Sequence, residues 1–335
     1  MRLWAGTFLP SPGPPITGHR DFVEGVSWHP DGTRVATASG DSTVRVWDTA
    51  TGEQILLVRG HRDRVWNVEW SPDGSMLATA SSDRTARVFT AEELVVLRGH
   101  TDTVWCVAWS PDGDRIATGA QDRCIHVWDA RDGSLLAVLR GHQDWVVGLA
   151  WSPSGRMIAS CSDDRTARVW DLATGRESMV FTGHENWVDA VSWAPDETRL
   201  ATSSADWTAR VWSLATGQAE RVLSGHGGRV PAVAWSPDGE KIATASHDRT
   251  VRVWDVRSGE DPLVVGVHRD RALSITWSAG SRLVASGSRD GTVRVWDTDM
   301  PLEELMRVAR RRTFRTLTPE ERRTHLLAMR TEEGQ

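Results

Sequence analysis

The chain has 335 residues, 39% hydrophobic and 25% charged, the proportions of a globular protein long enough for one large domain or two ordinary ones. No apolar run approaches the roughly 20 residues that a membrane-spanning helix needs. The formal net charge is −6, but residues 301–335 hold eight Arg and six Glu, so residues 1–300 carry −8, a balance that argues against general nucleic-acid binding.

At the N-terminus, Met1-Arg2-Leu3-Trp4 lacks the apolar core of a secretory signal, which points to the cytoplasm. Prolines follow at 10, 12, 14 and 15. A period then takes over. A histidine, preceded by Gly six times and by Val once, recurs at His19, His61, His100, His142, His184, His226 and His268, in steps of 42 residues broken by a single step of 39. Nine residues after each comes Trp28, Trp70, Trp109, Trp151, Trp193, Trp235 or Trp277. Aspartates keep the same rhythm at Asp41, Asp83, Asp122, Asp164, Asp206, Asp248 and Asp290, and six residues beyond each stands Trp47, Phe89, Trp128, Trp170, Trp212, Trp254 or Trp296. A fixed period of this length is the signature of a repeat architecture.

Each unit reads as four short strands. The sixth opens with Val230–Ser236, turns at Pro237-Asp238-Gly239, and continues through Lys241–Ser246 and Thr250–Asp255 to a last strand before Val267. Pro fixes φ, Asp bonds its own backbone and Gly accepts positive φ, so the turn is well specified. Val251-Arg252-Val253-Trp254 alternates apolar and polar at the strand period of two.

The Gly-His pair, the Trp-Ser-Pro-Asp-Gly turn and the closing Trp254-Asp255 resemble the WD-repeat family, over residues 18–297. The resemblance implies an all-β, seven-bladed β-propeller of four-stranded antiparallel blades set around a channel, here with a short C-terminal α-helical tail. The expected organisation is a propeller over residues 18–299, a helical tail over 300–335, and residues 1–17 supplying the outermost strand of blade seven. That strand is otherwise missing after Trp296-Asp297, and a propeller must close to avoid open edges. The resemblance also implies a polar network in each blade, running from the repeat histidine through a second-strand hydroxyl and the turn aspartate to the third-strand Trp. The hydroxyls are read as Ser39, Ser81, Ser162, Ser204, Ser246 and Ser288, with Ala120 breaking the set in blade three and Phe89 removing the indole in blade two.

After the propeller, Leu302, Leu305, Met306 and Ala309 are spaced for one helix face, and Thr318-Pro319-Glu320-Glu321 has the cap of a second helix. The stretch Arg315–Glu321 resembles tails of bacterial multidomain signalling proteins, STAND-type ATPases among them. Lys241 is the only lysine among 39 basic residues, which suggests a GC-rich bacterial genome.

Seven histidines and seven aspartates on one period belong to architecture, since no active site is needed seven times. The other histidines, His29, His126, His247 and His325, share no local motif, and there is no Gly-x-Ser-x-Gly, phosphate loop or His-Glu-x-x-His. Cys106, Cys124 and Cys161 are too few and too scattered for a disulfide framework or a zinc site. No catalytic residue, metal or cofactor is therefore expected.

Function should sit where the repeats differ. By the resemblance these are the positions three and five residues after each repeat histidine and the residue before each turn aspartate, all on the face that usually receives partners. They give Phe22, Arg64, Trp66, Trp105, Trp145, Trp187, Asp189, Arg229, Arg271 and Arg289 as candidate partner-binding residues, with Glu24, Asp163 and His247 in the same columns. Trp66, Trp105, Trp145 and Trp187 fall in four consecutive blades, and Arg229, Arg271 and Arg289 in the last two. Trp and Arg anchor protein interfaces. The four Trp read either as exposed anchors or as packing inside the channel mouth, and Trp207 as an exposed anchor or as inter-blade packing. The expected activity is a non-catalytic scaffold or sensor that binds a protein or peptide in bacterial signalling or defence and acts in trans with an effector protein or ATPase, without small-molecule substrate, nucleic acid or membrane. The alternatives are nucleic-acid or acidic-partner binding through the Arg-rich tail, and an enzyme with a channel-mouth site.

Overall fold

The computed structural model describes residues 15–90, 94–258 and 261–299, so both helices expected in the tail and most of the N-terminal segment lie outside the described residues. Alternation of period two builds six four-stranded sheets and one three-stranded sheet, every pair antiparallel and each sheet running in chain order from its first strand outward. In blade one the strands are Val23–Trp28, Arg34–Ser39, Val44–Asp48 and Gln54–Val58. The first strand packs against the first strands of blades two and seven, Val65–Trp70 and Ala272–Trp277, which closes a ring. In blade six the first strand begins at Ala232, two residues later than expected. Val230 N–H is spent on Ser204 O of the preceding blade and Pro231 has no N–H to give.

The second strands are buried on both faces, which explains their Ala-Thr-Ala-Ser sequences: two neighbouring sheets leave room only for small side chains. The core consists of clusters shared between adjacent blades. Ala36, Val44 and Val46 of blade one pack with Val65, Val68 and Leu77 of blade two. Ile16, Val23, Val26 and Trp28 pack with Ala285 and Val293 of blade seven. The Trp ending several first strands donates its indole N–H to a carbonyl of the preceding blade, as Trp151 does to Ala108 O at 3.0 Å and Trp277 to Ala234 O at 3.0 Å.

Blade seven has Ala272–Trp277, Leu283–Ser288 and Val293–Asp297. Ile16 pairs with Val293 through two backbone bonds, Ile16 N–H to Val293 O at 3.0 Å and Val293 N–H to Ile16 O at 3.1 Å.

The histidine–hydroxyl link of the polar network is present in every blade, but its hydroxyl is not the one the sequence reading selected. In blade one Trp47 Nε1–H donates to Thr37 Oγ1 at 2.8 Å, Thr37 Oγ1 meets His19 Nε2 at 2.7 Å, and His19 Nδ1 meets Asp41 Oδ2 at 3.0 Å. The corresponding hydroxyls are Thr79, Thr118, Ser160, Thr202, Thr244 and Ser286. Burial lowers the His19 pKa despite Asp41, so the ring is neutral, with Nδ1–H facing the carboxylate and Nε2 accepting from Thr37. The serines two residues on, Ser39 and its equivalents, instead accept the N–H of the turn aspartate, as Asp41 N–H does at 3.1 Å. Residues i and i+2 share a strand face, so both columns carry hydroxyls and only the register decides between them.

Blade three is consequently intact in this chain of bonds, contrary to expectation: Thr118 joins His100 and Trp128 at 2.8 Å each. Ala120 removes the turn bond and the bond that the serine hydroxyl elsewhere donates to a backbone carbonyl, as Ser39 Oγ does to Asp21 O at 3.3 Å. Blade two lacks the indole donor, as Phe89 requires. The loosest hub is blade seven, where His268 Nδ1 stands 3.6 Å from Asp290.

Candidate partner-binding site

Five residues after the repeat histidine, in every blade but the sixth, the chain meets a register break. Pairing jumps from Val23↔Ser39 to Gly25↔Ala38, leaving Glu24 as an extra residue. Trp66, Trp105, Val147, Asp189 and Leu273 are extra in the same way. Such a β-bulge re-aims a side chain without ending the strand, and here the bulged residues line the axial channel. Gly25 shows how close the ring is, since a Cβ there would stand 3.0 Å from the Asn67 backbone.

The channel is a cavity of about 790 Å³ lined by residues of all seven first strands. Of the candidate residues, Trp66, Trp105, Trp145, Trp187, Asp189 and Arg229 border it, while Phe22, Arg64, Arg271 and Arg289 do not. Trp66 and Trp105 lie 4.3 Å apart between ring centroids, and Trp105 and Trp145 stack at 5.7 Å with 19° between planes. Trp66 Nε1–H donates to Ser82 Oγ at 2.7 Å, whereas Trp105 Nε1 is buried without a partner. These three rings are half-buried in the channel mouth; Trp187 is 45% exposed. Thus three of the four tryptophans combine packing with an open face, and one is a projecting side chain. Trp207 is 55% exposed, which answers its two readings in favour of solvent. It occupies the left-handed turn position, φ 72°, that Arg84, Arg123, Arg165 and Arg249 hold elsewhere.

The cationic sector is largely engaged within the protein. Arg229 grips Asp189 with two bonds, Nε to Oδ2 at 2.9 Å and Nη2 to Oδ1, and its guanidinium lies 5.4 Å from the Trp187 ring centroid. Burial lifts the Asp189 carboxyl to about 6 and Arg229 limits the rise, so the pair is ionised at neutral pH. Arg289 covers Phe22 at 4.6 Å, and Arg64 reaches Asp21 at 3.9 Å. Arg271 is exposed. Burial, followed by the neighbouring Asp189, raises Asp163 to about 6, and its Oδ1 has no hydrogen-bond partner. Burial also brings Glu24 up to about 7, against the pull of Arg64. His247 falls to about 4 through burial and then Arg229, Arg271 and Arg289.

Deeper in the channel, Glu69 is a functional-looking group the sequence reading passed over. Its Oε2 accepts Trp109 N–H at 3.0 Å, and burial pushes its pKa to about 8. The signal was there: in the column before the repeat Trp, Ser27, Ala108, Ala150, Ser192, Ala234 and Thr276 are small, and Glu69 alone is charged.

Seven radial antiparallel sheets around a lined axial channel define a β-propeller. The chain matches the WD domain, G-beta repeat family at residues 12–48, 52–90, 91–129, 133–171, 175–213, 217–255 and 262–297, and belongs to the WD40 repeat family. Proteins of this family are generally protein-interaction scaffolds and typically non-catalytic. Individual relatives are distant and match in part. The chain is 37% identical to an Arabidopsis thaliana Notchless protein homolog over 59 residues, 18% of this chain and 12% of that protein. It is 38% identical to the Bos taurus serine-threonine kinase receptor-associated protein over 53 residues, 16% and 13% of the two chains. It is 44% identical to Lissencephaly-1 homolog 1 of Paramecium tetraurelia over 39 residues, 12% and 10%. The matches thus span about an eighth of these curated relatives. Among the described residues no helix is long and apolar enough to cross a membrane.

Proposed function

We propose that this propeller binds a protein or peptide partner at the channel mouth, through the face that carries Trp66, Trp105, Trp145 and Trp187. One observation carries the reading: the bulge and entry positions of four consecutive blades hold tryptophans at the channel mouth, Trp105 in ring contact with both Trp66 and Trp145, and Trp187 exposed. Aromatic rings bury large areas with few rotors, which makes them interface anchors. Arg271 and Arg289, both exposed, supply rim positions for an acidic residue of the partner, while Arg229 is already held by Asp189 and serves to orient Trp187. The setting that fits the arginine bias is a bacterial cytoplasm, with the propeller recruiting an effector protein or ATPase in trans.

The test compares three variants for capture of partner from source cells and for thermal stability. Trp187→Ala should abolish capture and leave the unfolding free energy within about 0.5 kcal/mol of wild type, as surface substitutions do. Trp145→Ala should weaken capture with a modest stability loss, because its ring also stacks on Trp105. Trp170→Ala, in the buried network, should lower stability by roughly 3–5 kcal/mol. Undiminished capture by Trp187→Ala and Trp145→Ala would remove this face from consideration.

A further inference from the structure

Blade three departs from the other six around its hub aspartate, and the departures converge on one point. Where six blades carry Arg45, Arg87, Arg168, Arg210, Arg252 and Arg294, blade three has His126. Where six carry Thr43, Thr85, Thr166, Thr208, Thr250 and Thr292, it has Cys124. In four blades that arginine stands 3.4–3.8 Å from the hub aspartate and occupies the space with positive charge. In blade three the cation is gone. His126 instead lies face to face with His100, 3.8 Å between ring centroids and 10° between planes, so one metal reaches both rings only once His126 turns out of this stack, because the in-plane lone pairs of parallel rings do not converge. It is 5% exposed, and its Nδ1 has no hydrogen-bond partner. His100, Asp122 and His126 each offer one ligand atom, all within 4.8 Å of one another.

We propose that His100, Asp122 and His126 form a binding site for a divalent transition metal of the zinc class. Two imidazoles and a carboxylate are borderline donors that suit zinc, and hard cations such as calcium or magnesium prefer oxygen alone. His100 Nδ1 and Asp122 Oδ2 are 2.9 Å apart, close to the ~3.3 Å edge of a tetrahedron with ~2.0 Å bonds. The second shell is in place: Thr118 Oγ1, 2.8 Å from His100 Nε2, accepts the Nε2–H of the tautomer whose Nδ1 lone pair faces the metal. Cys124 is engaged elsewhere, its Sγ 3.4 Å from Asp122 O and 2.7 Å from Arg140 Nη1. The fourth position of the tetrahedron is therefore left to water. The periodicity that sets the other repeat histidines aside as architecture does not extend to this one, because the residue that completes the set occurs in a single blade.

The full chain, free of any histidine tag, is dialysed against zinc chloride, and bound metal and melting temperature are measured beside those of His126→Arg. That variant restores the arginine of the other six blades, so it should fold as well as wild type. Wild type should take up one zinc per chain and melt higher with zinc present, and His126→Arg should bind at least ~10-fold more weakly with no shift in melting. An Asp122→Asn chain, which keeps most of the hub's hydrogen bonds, should lose zinc in the same way. Failure of the wild-type chain to bind one equivalent, or equal uptake by His126→Arg, overturns the proposal.

Discussion

At the scale of single residues, the hub aspartate does most to order each blade. Asp164 accepts His142 Nδ1–H, the N–H of Gln143, and both the N–H and hydroxyl of Thr166. Against burial, which favours the neutral acid, these bonds hold the Asp164 carboxyl far below the usual carboxylate range. Asp122 accepts from His100, Thr101 N–H and Cys124 N–H, and has no hydroxyl donor. Asp164→Ala should therefore destabilise more than Asp122→Ala by about one hydrogen bond, ~1 kcal/mol, in chemical denaturation. Equal losses would mean that the Thr166 hydroxyl contributes nothing. What blade three lacks at its hub is the hydroxyl of the threonine that Cys124 replaces, not the histidine link that Ala120 was read as breaking. The family resemblance implied that the histidine, aspartate and Trp columns share a network. It could not say which of two hydroxyl columns, two residues apart on one strand face, the histidine would meet.

At the scale of elements, strand order and the small second strands were legible, because alternation and turn chemistry are local. The bulges were not, since an extra residue becomes visible only when the partner strand fixes the register. Nor was the environment of Glu69, which depends on the inner strands converging from around the ring. Its charge is costly there. An acid whose folded pKa is raised loses stability as pH rises from its ordinary 4.5 through about 8, because the unfolded chain gives up the proton first. Glu69→Gln retains an oxygen to accept Trp109 N–H and removes that dependence. Unfolding titrations should show wild type losing ground to the Gln variant across this range, and parallel curves would mean that the carboxylate is solvated in the channel.

At the scale of the whole molecule, closure is what a repeat cannot specify by itself. Each blade finds its neighbour's core face by the same rule, but blade seven needs a segment that belongs to no unit. The two backbone bonds between Ile16 and Val293 and the burial of Ile16 among Val23, Val26 and Ala285 support the proposal that residues 1–17 supply it. Ile16→Ala should then cost ~2 kcal/mol or more, the loss typical of a buried aliphatic side chain. A cost near zero would place the seal elsewhere.

The bulges carry a consequence for how such a protein can change. In six blades the bulged residue sits outside the ladder, with both of its flanking residues paired. Replacing it alters the channel mouth while leaving sheet pairing and the polar hubs untouched. Under the proposed function, affinity would rest largely on these residues and blade stability largely on the hubs and second strands, with the buried Asp189 serving both. The positions now holding Glu24, Val147 and Leu273 can be exchanged one blade at a time without re-registering a sheet, whereas Trp66, Trp105 and Asp189 also carry contacts to Ser82, to neighbouring rings and to Arg229.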